Sequence, residues 1–139
     1  MTEVYGSCEC GKVTFVVCGE LRPVVYCHCR QCRKTSGHFV AATACRLQDL
    51  ELKDVSTLQW YVSSPDARRG FCGNCGGNLF WQPENDDRIS IMAGCLDAPT
   101  GIRAVGHIFS EHCADYHTLS DGLPTYEGRG PDNLTVVGE

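Results

Sequence analysis

No stretch of this 139-residue chain approaches the ~18 consecutive apolar residues of a membrane span, and its first twenty residues carry charges and cysteines where an export signal has an apolar core. Neither membrane insertion nor export is therefore expected, and the expected location is cytoplasmic. Basic charge is also short. Twelve Lys and Arg against 17 Asp and Glu leave a formal net charge of −5. Broad binding to nucleic acid is not expected, because phosphate neutralisation needs a basic surplus. Walker and dinucleotide glycine motifs are missing, so no nucleotide cofactor is expected. Acyl and glycosyl hydrolysis lack support, since there is no nucleophile elbow and no carboxylate pair that sequence can set face to face. No linker or low-complexity run divides the chain, and its length suits one domain that buries roughly two thirds of its unfolded surface.

Cysteine is what the chain has in excess: eleven of them. An odd number without an export signal disfavours a disulfide framework and favours metal. With 42% apolar and 21% charged residues the composition is that of a globular protein. Short extended segments separated by Gly, Pro and Asp predict a mainly β fold. Val13, Phe15 and Val17 alternate with Lys12, Thr14 and Val16 as in a strand buried on at least one face, and Leu79–Gln82 and Arg88–Met92 have similar β-rich composition. The best helical segment runs from Arg30 to Ser36 and is closed by Gly37 at a C′ position. The stretch from Gly128 is punctuated by Gly and Pro, so a domain over residues 1–127 and a fraying tail over 128–139 are expected.

Three cysteine clusters have ligand spacing: Cys8-Glu9-Cys10, Cys27-His28-Cys29-Arg30-Gln31-Cys32 and Cys72-Gly73-Asn74-Cys75. Two residues between cysteines let both sulfurs meet one ion, and Gly73, Gly76 and Gly77 supply the tight turn. Seven sulfurs are one short of two closed tetrahedral sites, so one ion is expected to stay open. Spacing leaves the partition undecided. Cys29 and Cys32 can join Cys72 and Cys75 as a two-knuckle ribbon, or Cys8 and Cys10 can join that pair and leave Cys27, Cys29 and Cys32 as a local triad.

The strings Gly6-Ser7-Cys8-Glu9-Cys10-Gly11, Cys27 through Gly37, and Phe71-Cys72-Gly73-Asn74-Cys75-Gly76 resemble the glutathione-dependent formaldehyde-activating enzyme family, whose relatives include centromere protein V. The likeness continues through Ala93–Pro99, His107–Phe109 and Leu123-Pro124. It implies a zinc-binding, β-tent-like single domain of short antiparallel sheets with zinc knuckles. It also implies two zinc ions per chain, a structural one on Cys8, Cys10, Cys72 and Cys75 and a second on Cys27, Cys29 and Cys32. The implied partners are glutathione or a similar thiol and formaldehyde or a small aldehyde, in a carbon–sulfur lyase reaction that forms or cleaves S-(hydroxymethyl)glutathione. Cys95 departs from the family, which usually has a small residue there.

Zinc held by three thiolates has a net charge near −1 and is a weaker Lewis acid than His-ligated zinc, so a thiol, with a free pKa of about 8.5, is its more fitting fourth ligand. Cys27, Cys29 and Cys32 thus form the expected catalytic cluster. Arg30, Arg33 and Lys34 beside it are the expected binders of the thiol's carboxylates, set against a plain solvated face. His28 is expected to point away from that metal, and His38 and His107 to be hydrogen-bonded structural residues. His112, Cys113 and His117 are too irregularly spaced to predict a third metal. Cys18, Cys45, Cys95 and Cys113 read as small core residues. The alternative function is a non-catalytic zinc module for protein interaction or glutathione binding.

Overall fold

The computed structural model describes residues 3–134. Ten strands and one short helix lie among them: β1 (Glu3–Ser7), β2 (Thr14–Cys18), β3 (Val24–Cys27), α1 (Arg30–Ser36), β4 (Val40–Arg46), β5 (Leu50–Asp54), β6 (Leu58–Ser64), β7 (Ala67–Cys72), β8 (Asn78–Pro83), β9 (Arg88–Met92) and β10 (Ala104–Ile108). They form a three-stranded sheet in the order β1-β2-β5 and a seven-stranded sheet in the order β10-β3-β4-β9-β8-β7-β6. The expected mainly β, single-domain fold is present, and its pairings are antiparallel except one. β10 runs parallel to β3, setting His107 opposite Tyr26 and Ile108 opposite Cys27.

The alternation around residues 13–17 places Val13, Phe15 and Val17 in a core shared with Cys45, Leu79, Phe80, Ile89 and Ile91 of the larger sheet. Phe15 meets Phe80 edge-on at 5.1 Å between ring centroids, and burying a ring of this size contributes roughly 1.5–3 kcal/mol. Val16, on the opposite face of β2, is only 1% exposed, so this central strand is covered on both sides. Gly6 pairs with Phe15 across the β1–β2 ladder. A Cβ at Gly6 would lie 2.3 Å from the Phe15 ring and 2.9 Å from the Cys95 carbonyl oxygen. The closeness of the two elements depends on that missing carbon.

Helix α1 has the predicted limits. The Cys29 sulfur caps its first turn by accepting from the Cys32 N–H, and Gly37 closes it in the left-handed conformation with φ of 86°. Seven residues are too few for a self-supporting helix, and strands of the larger sheet hold it. Gln31 Nε2 donates to the Ser63 carbonyl at 3.0 Å, and Asn78 Nδ2 donates to the Thr35 carbonyl at 2.7 Å. Near the C-terminus the Gly128 carbonyl accepts from Phe109 N–H at 2.8 Å, and a short turn covers Asp132–Leu134. Residues 135–139 of the tail expected to fray lie outside the described residues. No helix among the described residues is long and apolar enough to cross a membrane.

Candidate metal centres

Cys8 and Cys10 follow β1, and Cys72 ends β7 to open a knuckle in which Gly76 N–H donates to the Cys72 carbonyl at 2.8 Å and Cys72 N–H to the Gly77 carbonyl at 3.0 Å. The fold carries these two loops to one place. The sulfurs of Cys8, Cys10, Cys72 and Cys75 all lie within 4.8 Å of one another, with Cys8 3.6 Å from Cys10 and Cys10 3.7 Å from Cys72. A tetrahedron with ~2.3 Å metal–sulfur bonds has edges of about 3.8 Å, so the spacing suits zinc. The surrounding donors point at sulfur. Val13 N–H reaches Cys8, the Asn74 side-chain amide reaches Cys10, and the Asn74 and Cys75 N–H groups reach Cys72, all at 3.3–3.4 Å. The Thr57 hydroxyl, 3.2 Å from Cys72, draws that thiol down to about 6, helped by the knuckle N–H groups. The Asn74 amide likewise lowers Cys10, while burial raises Cys8.

Cys27 ends β3, Cys29 caps α1 and Cys32 lies buried in its first turn, and their sulfurs form a second group within 4.8 Å. No fourth His, Cys, Asp or Glu completes this group among the described residues. All eleven cysteines are free thiols. The ribbon partition, with Cys29 and Cys32 joined to Cys72 and Cys75, is not the one the fold adopts. Hydrogen bonds from Cys27 and Cys32 hold Cys29 far below the usual thiol range, at about 2, and the bond to Cys29, with burial, pushes Cys27 up. Arg69 of β7 braces the group: the guanidinium lies 3.7 Å from the Cys32 sulfur and donates twice to Gln31 Oε1, at 3.0 and 3.1 Å.

The triad opens into a cavity of about 370 Å³. Val25, Val40, Ile108 and Phe109 give it apolar walls, and Arg22, Arg69, Arg88 and Arg129 bring positive charge. Arg22 is buried and donates to the Ala42 carbonyl at 2.9 Å; burial lowers it to about 10. Arg88 pairs with Asp86 at 3.1 Å, and Arg129 pairs with Asp132. Arg30, Arg33 and Lys34 are not among the lining residues; Arg30 and Lys34 face solvent and Arg33 is half-buried. Sequence reasoning missed Arg69. The available signal was an arginine pair, Arg68-Arg69, inside a strand that runs into the knuckle.

His28 turns away from the triad, as expected, and is 1% exposed. Burial lowers it to about 4. Its Nε2 lies 2.8 Å from His107 Nδ1, whose Nε2 lies 2.8 Å from Asp121 Oδ2. His38 Nδ1 lies 2.9 Å from the Tyr116 hydroxyl. Cys45 is fully buried in the core, and Cys95 donates to the Asn78 carbonyl at 3.2 Å, its thiol pushed up to about 11 by burial. Cys113 does not close the second site. It lies with His28 and His117, while His112 stands apart and exposed beside Glu111.

Residues 3–112 match the sequence model of a family described as glutathione-dependent formaldehyde-activating enzyme. An uncharacterized lyase of Schizosaccharomyces pombe is 31% identical over 85 residues, which is 61% of this chain and 61% of that protein. The matched stretch thus spans about three fifths of that relative. A crystal structure of a Rhodobacter sphaeroides protein superposes with a TM-score of 0.56 at 23% identity, covering 73% of this chain and 99% of the other, a likeness of fold.

Proposed function

The chain belongs to the glutathione-dependent formaldehyde-activating enzyme family, and from that premise we propose that it is a zinc-dependent carbon–sulfur lyase that joins glutathione, or a similar thiol, to formaldehyde or a small aldehyde and catalyses the reverse cleavage. The observation that carries this reading is the unequal division of the seven sulfurs, four closed upon themselves and three opening into a cavity. In this proposal Cys8, Cys10, Cys72 and Cys75 hold a structural zinc, and Cys27, Cys29 and Cys32 hold a second. Zinc held by these three sulfurs would lower the proton affinity of an incoming thiol and make it a nucleophile at neutral pH.

The rest falls to the protein. Arg69 holds the Cys32 sulfur and, through Gln31, the start of α1, so that the three sulfurs keep one face toward the cavity. Val40, Ile108 and Phe109 keep water from that face, and the cavity arginines offer guanidinium groups to the carboxylates of a tripeptide thiol. Arg30, Arg33 and Lys34 add positive charge around α1, outside the cavity. In the forward direction the thiol's sulfur bonds to the carbonyl carbon as the carbon–oxygen π bond breaks. The thiol proton leaves to solvent, and the alkoxide takes one from water.

This addition is rapid without a catalyst, so binding motifs alone do not establish acceleration. Exchange NMR of S-hydroxymethyl adduct formation is expected to show faster turnover with zinc-loaded protein than with an equimolar serum-albumin blank, and no excess with Cys29→Ser. Equal rates for all three samples would leave the non-catalytic zinc module as the function.

A further inference from the structure

We infer that His28, Cys113 and His117 form a third metal site, for a zinc-class divalent cation, on the opposite side of the Cys27-His28-Cys29 tripeptide from the three-sulfur group. One ligand atom from each residue lies within 4.8 Å of the other two, although 85 residues separate His28 from Cys113 in the chain. The Cys113 sulfur is 4.0 Å from His117 Nδ1. Bonds of ~2.3 Å to sulfur and ~2.05 Å to nitrogen set that edge at about 3.6 Å in a tetrahedron, a small contraction from the observed spacing. Two imidazoles and one thiolate are a borderline-soft donor set suited to zinc.

The hydrogen bonds behind His28 are an independent indication. A carboxylate only accepts, so the contact with Asp121 places the His107 proton on Nε2 and leaves His107 Nδ1 a bare acceptor. His28 must then donate from Nε2. The remaining nitrogen, Nδ1, is unprotonated and keeps its lone pair for a ligand. A carboxylate-backed acceptor behind a ligating imidazole is how metal-binding histidines are oriented and made more basic. Cys113 and His117 are set by local turns, with Cys113 N–H donating to the Ser110 carbonyl at 3.1 Å and His117 N–H to the Ala114 carbonyl at 3.0 Å. Phe39, stacked on His117 at 5.7 Å and tilted against His28 at 5.0 Å, shields the site. The inference does not depend on the lyase reading.

The test is ¹¹³Cd NMR on the full chain loaded with cadmium, with metal per chain measured in parallel after zinc loading. The wild type is expected to show a mixed nitrogen–sulfur resonance that both His117→Ala and Cys113→Ser abolish, each variant losing one zinc equivalent and keeping the four-sulfur resonance as its folding control. His117→Cys is expected to regain the equivalent with a shifted resonance. A wild type with no resonance that these variants remove, or variants that bind as much zinc as the wild type, would overturn the assignment.

Discussion

A single hydrogen decides how closely two strands can approach at Gly6. The methyl of Gly6→Ala would enter the Phe15 ring and press on the Cys95 carbonyl, and Phe15 has little room to move, being buried and edge-on to Phe80. Overpacking of this kind costs about 1–3 kcal/mol. Thermal melting of Gly6→Ala is therefore expected to show a clear fall in midpoint, and an unchanged midpoint would mean that the ring relaxes freely. Gly6 was visible in the sequence only as part of a cysteine motif, since its packing role depends on Phe15 and Cys95, nine and 89 positions away. His28 shows the same limit. The C-x-C spacing predicts its outward turn, but its partners His107, Cys113 and His117 arrive from 79 to 89 residues later.

Helix α1 was legible to its last residue because its closing signal is local, a glycine that the structure holds in the left-handed conformation. Its supports were not legible, because β6, β7 and β8 deliver them across the sheet. Arg69→Met removes both bonds to Gln31 and the donor beside Cys32. Loss of charged hydrogen bonds from a buried arginine is expected to cost about 1–3 kcal/mol. Amide exchange is the direct readout: the α1 N–H groups should lose protection in Arg69→Met while those of the β1–β2 ladder keep theirs. Equal loss in both places would show that Arg69 serves global stability and not the helix. The strands over 14–18, 78–83 and 88–92 were legible from alternation and β-rich composition. The parallel β10–β3 pair was not, since nothing local in either strand specifies a partner some eighty residues away.

Across the whole molecule, the four-sulfur group fastens the end of β1 in the smaller sheet to the end of β7 in the larger one. A structural zinc contributes on the order of 10 kcal/mol, comparable to the entire stability of a small domain. Removal of metal by a strong chelator is thus expected to lower the melting temperature sharply. Cys10→Ser should reproduce most of that fall, whereas Cys29→Ser, whose sulfur belongs to a group spanning only the end of β3 and the adjoining α1, should reproduce little of it. Similar midpoints for the two variants would refute this division of labour.

The same fastening bears on what happens when the backbone is cut. The turn at Pro65 and Asp66 is exposed and joins β6 to β7, so a protease can nick there and leave Cys8 and Cys10 on one fragment, Cys72 and Cys75 on the other. With an ion on the four sulfurs, the nicked halves would travel as one particle through a sizing column and come apart only in chelator, which makes this turn the natural place to divide the protein into a metal-gated two-piece reporter.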